Sequence, residues 1–453
     1  MLTPMPAIRI KDVRFSSEDF GYRTPIKFGG VAVDRVTLVN VEVDVETQPG
    51  KTARGFGSMP LGNVWAYPSR AMTYQQTLEA MKAVTEQVAH VYRRYPEYGH
   101  PIDITWAVEH EYIKEAEAVG RRLKVADSIP VLATLVCASP FDAALHDAFG
   151  KVHGLNCYST YGPEFMPHDL DHYLGSEFAG LRLHEFVSSK AKPRMPLYHL
   201  VGALDPLTAA DVKQPVNDGL PDTLAEWIPF NGLTHLKIKL NGDDLGWDVD
   251  RVVGVNRVAE EQQAKRNVTT WFYSLDFNER CANVAYLLEF LRQVQDRIPR
   301  GFDRIQYIEQ PTRRDLKADR ANVMHEAAKL RPVVIDESLI DHESLRLAKE
   351  MGYTGAALKA CKGQTQSLLM AAAAKKDGMF LCVQDLTCPG ASLIHSAGLA
   401  AHIPGIVAIE SNARQYCPAA NTPWESRFPG MFRITDGTMA TALLDGPGLG
   451  AVS

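Results

Sequence analysis

Apolar and polar residues alternate between positions 39 and 45, where Val39, Val41, Val43 and Val45 are separated by Asn40, Glu42 and Asp44. That period of two predicts a strand with one buried face. Pro49-Gly50 predicts a turn into a second strand ending near Gly55-Phe56-Gly57. From Thr73 the period becomes helical: Thr73 and Gln76 form a capping box, and Leu78, Met81, Val84, Val88 and Val91 recur on one face. Further helices are predicted over 110–125 and 140–154. The stretch 169–192 is polar and irregular, as in a connector or an insertion. The first third therefore reads as a small α+β unit.

From about Met195 the pattern repeats. Short apolar runs at 196–201, 235–240, 271–275, 305–308, 333–335, 356–358, 380–383 and 406–409 alternate with helical stretches. One of these helices shows the grammar: Asp341 caps it, Leu345 and Ala348 supply its buried face, and Gly352 stops it. Alternating β and α predicts an α/β domain with a parallel sheet, either open and doubly wound or closed as a barrel. Eight strands is the number that closes, so a (β/α)8 TIM barrel is expected over 195–431. The stretch 432–453 is too short for a domain and is expected to return to the first unit, 1–194, in which 155–194 reads as the insertion.

Composition narrows the class. The 453 residues are 45% hydrophobic, and 48 basic against 54 acidic side chains leave a net charge of −6. That balance offers no footprint for nucleic acid or an anionic membrane surface. No apolar run approaches the roughly 18–20 residues that span a bilayer, and residues 1–13 do not read as a secretion signal. Seven scattered cysteines, odd in number and never in CxxC spacing, point to a reducing compartment. A cytoplasmic enzyme is the expectation.

Polar residues gather where the predicted strands end: Lys237 and Lys239, then Asp276 and Asn278, Glu309, Asp336-Glu337, and Lys359. They fall 23–37 residues apart, a βα-repeat length, so each would stand one strand further round the same rim, where barrels build active sites. Three converging carboxylates would repel by about 4 kcal/mol per pair at roughly 4 Å. A hard divalent cation relieves that, and all-oxygen ligation suits magnesium. Lys237 and Lys239 lie two apart on a strand and share a face. Crowded cations should lower an ammonium pKa towards the range of a general base.

These motifs resemble the enolase superfamily, on its mandelate racemase and muconate lactonizing enzyme side. The likeness is carried by Lys237-Ile238-Lys239, Asp276-Phe277-Asn278, Glu309-Gln310-Pro311, Asp336-Glu337-Ser338 and Gly446-Pro447-Gly448-Leu449-Gly450, in the family's order. Phe141-Asp-Ala-Ala-Leu-His-Asp-Ala-Phe-Gly150 is similar to the family's pre-barrel helix. The resemblance implies a modified barrel under an α+β capping domain that the C-terminal segment completes. It further implies Mg²⁺, with Mn²⁺ as an alternative, on Asp276, Glu309 and Asp336. Lys239 would be one base, tuned by Lys237, and Lys359 the opposite base or acid. Lys362, three residues on, is the other candidate for that second role. A sixth-strand lysine without a seventh-strand histidine places the chain nearer the muconate lactonizing, dipeptide epimerase and succinylbenzoate synthase group.

Asn278, Gln384, Asp385 and Glu410 stand on the same rim as candidate substrate contacts, with a structural ion pair the competing role for Glu410. By resemblance, loops containing Tyr22, Arg23 and Phe56 would close over the barrel and select substrate. His395 and His402 lie on an apolar helix and read as packing residues, and Cys361 is assigned no role in catalysis. The expected reaction is removal of the proton α to a small-molecule carboxylate, giving racemisation, epimerisation or cycloisomerisation, in a homo-oligomer. A sugar-acid dehydratase is the alternative, and a non-catalytic barrel that only binds is a remote one.

Overall fold

The computed structural model describes residues 6–28 and 30–450. Three strands, β1 (Ile8–Phe28), β2 (Val31–Thr47) and β3 (Thr52–Pro60), form an antiparallel sheet in that order. Val39, Val41, Val43 and Val45 of β2 all point inward, none more than 1% exposed. They face helices α1 (Tyr74–Arg94), α2 (Pro101–Leu123) and α3 (Val131–His153). Thr73 and Gln76 cap α1 reciprocally.

Helix α3 begins nine residues before the predicted 140–154, because Pro140 lies inside it. A proline there leaves the carbonyl four residues back without its N–H partner. Ser139 supplies the substitute, its Oγ donating to Val136 O at 2.9 Å. The helix is buried nearly all round, so no amphipathic stripe marks its first turns.

Eight parallel strands follow: β4 (Arg194–Val201), β5 (His235–Lys239), β6 (Phe272–Asp276), β7 (Ile305–Glu309), β8 (Val333–Ile335), β9 (Gly355–Leu358), β10 (Phe380–Val383) and β11 (Ile409–Glu410). Each pairs with its neighbours, and β11 pairs with β4, so the sheet closes. The architecture is a modified (β/α) barrel with an antiparallel capping sheet. Within the predicted connector, short helical turns such as Asp171–Leu174 bury Leu170, Tyr173, Phe178 and Leu183. Among the described residues no helix is long and apolar enough to cross a membrane.

The C-terminal stretch adds β12 (Thr438–Ala440), antiparallel to β4, and then reaches α3. Asp147 of α3 joins three segments: its Oδ2 accepts Phe56 N of β3 at 2.9 Å, and its Oδ1 accepts Leu449 N at 2.8 Å. Residues 451–453 lie outside the described residues.

Strand β3 rests directly on the α3 backbone. A Cβ on Gly57 would stand 1.9 Å from Pro140 O, and one on Gly55 1.9 Å from Ala144 O. Backbone cannot yield as a side chain can, so Gly57→Ala should cost about 2–3 kcal/mol of stability. Gly21→Ala, where no atom lies within 4 Å of the added carbon, should change it by less than about 0.5 kcal/mol. Denaturant melts of both variants check this, and equal melts would refute the close packing.

Candidate active site

The strand ends place charge in register. Lys239 of β5 pairs with Asp276 of β6, and Asp276 pairs with Glu309 of β7. Lys237 Nζ lies 3.1 Å from Asp276 Oδ2, 2.8 Å from Glu309 Oε2 and 2.8 Å from Glu410 Oε2. Lys239 Nζ bonds Asp276 Oδ2, and Gln384 Nε2 donates to Glu309 Oε2. Across the mouth, just beyond β8, Asp336 Oδ2 lies 2.9 Å from Lys359 Nζ and Asp336 Oδ1 lies 3.2 Å from Lys362 Nζ. Gln310 Oε1 accepts Asp336 N at 2.9 Å and Ser338 N at 3.2 Å, which fixes that turn to β7.

Both candidate lysines of the sixth barrel strand therefore reach Asp336. Lys359 follows β9 directly, whereas Lys362 ends a 3-10 turn over Ala360–Lys362 and also donates to Asp336 O. The strand stops at Leu358, so Cys361 lies in that turn rather than on a strand face.

Electrostatics here run against one sequence expectation. Crowding of Lys237 and Lys239 predicts a lowered ammonium pKa, but the Lys237 ammonium lies among three acids. Burial opposes the charge on Lys237, yet Glu309, Glu410 and Asp276 outweigh it and push its pKa well up. Burial likewise opposes the charge on Lys359, and Asp336 outweighs it. In return, burial notwithstanding, Lys239 and Lys237 hold Asp276 below the usual carboxylate range, and Lys359 and Lys362 hold Asp336 at about 2. Glu309 moves the other way, raised by burial and then by the charges of Asp276 and Asp336.

As placed, the carboxylates fold onto lysines, and among the described residues no three His, Cys, Asp or Glu side chains close around a common point. The donor set nevertheless fits a hard divalent cation. Asp276, Glu309 and Asp336 supply only oxygen, stand on one rim, and are each within 1% of full burial. Asp336 Oδ2 has no properly angled hydrogen-bond donor, although Lys359 stands near it, and Gln384 Oε1 has none.

The capping domain provides the roof. Trp65 Nε1 donates to Glu337 Oε1 at 3.0 Å, and Lys359 Nζ sits 4.5 Å from the Trp65 ring centre. Phe28 covers Lys239, at 5.7 Å from ring centre to Nζ. Between roof and barrel lies a cavity of about 690 Å³, lined by Lys27, Trp65, Arg70, Asn278, Arg314 and Glu337 among others. Burial and the Asp336 charge raise the Glu337 carboxyl to about 7.

Of the proposed substrate contacts, only Asn278 lines this cavity. Gln384 is engaged with Glu309, and Glu410 with Lys237. Asp385 accepts the backbone N–H groups of Thr387, Cys388 and Asn412, so its carboxylate braces a turn. The two expected loops are strands. Tyr22 and Arg23 lie in β1 where its pairing with β2 skips between Gly21 and Ile26, an irregularity that re-aims side chains. Tyr22 packs on Tyr416, 6.4 Å between ring centres, and Arg23 bonds Asp218 and Asp222 of the segment after β4. Phe56 is in β3, its ring 6.3 Å from that of Trp424, bordering a separate groove with Arg14 and Glu18. It is not part of this site. His395 accepts Ser58 N, and His402 stacks on Tyr158.

Sequence reasoning missed Trp65 and the part played by Glu337. Glu337 carried a signal, a second acid at a strand end. Trp65 carried none, because only the closure of cap onto barrel brings it over Lys359.

The family described as enolase C-terminal domain-like matches residues 220–452. The chain belongs to that family. Members of this fold with solved structures include a muconate lactonizing enzyme from Pseudomonas fluorescens complexed with muconolactone, 17% identical with a TM-score of 0.60, over 98% of this chain and 96% of that one. A dipeptide epimerase from Enterococcus faecalis V583, complexed with Mg and L-Leu-L-Tyr, is 16% identical with a TM-score of 0.62 over 98% and 99%. An enolase from Bradyrhizobium, complexed with magnesium and mandelic acid, is 17% identical with a TM-score of 0.62 over 99% and 96%. These likenesses are ones of fold. No curated protein matches the sequence significantly.

If the three rim carboxylates hold the ion, Asp276→Asn should abolish Mg²⁺ binding in calorimetry while circular dichroism stays that of the parent. Unchanged Mg²⁺ affinity would remove Asp276 from the ligand set.

Proposed function

We propose that the chain is a divalent-metal-dependent enzyme that removes the proton α to a substrate carboxylate, giving racemisation or epimerisation when the proton is returned, or cycloisomerisation. The observation that carries this reading is the placement of Lys239 and Lys359. They end strands four apart in a ring of eight, across the mouth from one another, with the three acids between them.

Mg²⁺ held by Asp276, Glu309 and Asp336 would supply Lewis-acid neutralisation of the charge that grows on the substrate carboxylate as the α-proton leaves. The chain's own groups do the rest. A carboxylate seated between the acids presents its α-carbon to Lys239 Nζ on one face and Lys359 Nζ on the other. One amine takes the proton, and the opposite ammonium delivers one. Lys237 stays charged among its acid partners and adds fixed positive potential beneath the reacting carboxylate. Trp65 and Phe28 roof the two lysines and keep water from them.

The cavity also describes the substrate. Glu337 Oε2 has no donor and Glu337 lines the space, so an N–H or O–H of the substrate is the partner it lacks. Lys27 and Arg70 border the same space and suit an anionic or polar far end. An amino-acid-derived carboxylate meets all of these demands.

A screen of carboxylates with Mg²⁺ in deuterated water tests the reading by α-deuterium incorporation. On a substrate so found, Lys239→Ala should stop exchange from one stereoisomer and Lys359→Ala from the other. Exchange from a single isomer alone would favour elimination, as in a dehydratase, or cycloisomerisation. Exchange untouched by either variant would sink the two-base assignment.

Glu337→Gln should raise KM about tenfold with a smaller change in kcat, the signature of lost binding to a donor already present in the ground state. An unchanged KM would leave Glu337 as a support for Trp65 only.

A further inference from the structure

The segment that carries Lys359 and Lys362 leads straight into helix α4 (Gln364–Lys376), and that helix starts without a cap of its own. Gly363 stands at its N-cap with φ +113°, and no acidic side chain lies in its first turn. The missing partner comes from the capping domain. Asp142, in the middle of α3, accepts Thr365 N at 2.7 Å on Oδ2 and Thr365 Oγ1 at 2.8 Å on Oδ1. Thr105 of α2 donates to the same Oδ1 at 2.9 Å. His146 Nε2 stands 3.4 Å from it and 3.0 Å from Thr365 Oγ1, while His146 Nδ1 lies 3.1 Å from Tyr161 OH.

All of these groups are buried, with Asp142 2% and Thr365 3% exposed. A carboxylate on a free N–H at a helix start satisfies an otherwise orphaned donor and complements the helix dipole. The approach is close: a Cβ on Gly363 would lie 3.1 Å from Asp142 Oδ2. From there the bonds run to the lysines. Ser367 Oγ, one turn into α4, donates to Lys359 O at 2.8 Å. Lys362 N donates to the same carbonyl at 2.9 Å. The two ammonium groups then meet Asp336.

We propose that Asp142 is a positioning residue that fixes Lys359 and Lys362 against Asp336 through the first turn of α4. Lys239 and Lys237 sit on β5, which among the described residues has no bond to this chain of contacts, so one wall of the mouth is governed by the capping helix and the other is not. The catalytic consequence rests on the reading of Lys359 as a base. The mechanical link does not.

Site-resolved lysine acylation tests it on the full chain, with N-hydroxysuccinimidyl acetate as the probe and peptide mass spectrometry as the readout. Asp142→Asn keeps the size of the side chain but puts an amide where the carboxylate gathers donors. It should raise labelling of Lys359 and Lys362 about fivefold or more while Lys237 and Lys239 keep the parent rate, because only one wall loses its anchor. Ser367→Ala, which leaves Asp142 and Thr365 intact, should raise Lys359 labelling in the same way, and it decides the matter if Asp142→Asn does not fold. An equal rise at all four lysines would mean general loosening and overturn the proposal, as would no change at Lys359 and Lys362. Labelling reports position whatever the reaction, so its failure is separate from failure of the two-base reading, which the deuterium experiment tests. On an exchanging substrate, Asp142→Asn should slow exchange at the Lys359 face alone.

Discussion

Four lysines and four acids are sunk together in the barrel mouth: Lys237, Lys239, Lys359 and Lys362 with Asp276, Glu309, Asp336 and Glu410, none more than 4% exposed. No one of them could be buried alone, since an unpaired ion in such surroundings costs several kcal/mol. They are tolerated as a set because each ammonium is in contact with at least one of the acids. On the proposed function, a divalent cation added to this set would bring further positive charge into a water-poor mouth, and an anionic substrate would offset it.

The barrel was legible in the sequence because its strands are short apolar runs ending in chemistry-bearing residues. The predicted 333–335 and 380–383 coincide with β8 and β10, and the others differ by a few residues at their ends. The exception is the last, where 406–409 shrinks to the two residues of β11. Ile406 is buried there without ladder bonding, and hydrophobicity alone cannot tell burial from pairing.

The capping domain was read less well, for a physical reason. Aromatic, glycine and arginine residues at 20–24 and 55–59 carry turn chemistry in isolation, yet both segments are strands. Gly55 and Gly57 are there to let β3 touch a helix, a demand that exists only once α3 is in place. Tertiary closeness, not local propensity, chose those residues. The same holds for Pro140, whose cost to α3 is offset by the neighbouring Ser139 hydroxyl.

Asp147 clasps residue 56 and residue 449 at once, so the first sheet and nearly the last described residue share one carboxylate. A ribosome releases the chain from its N-terminus, at roughly 5–20 residues per second. The α3 carboxylate must therefore wait through the synthesis of the whole barrel before its second partner arrives. Until then Gly150 of α3 lacks Gly448, which packs against it. The cap is begun first, and the contact that closes it on Asp147 forms only once residue 449 has been made.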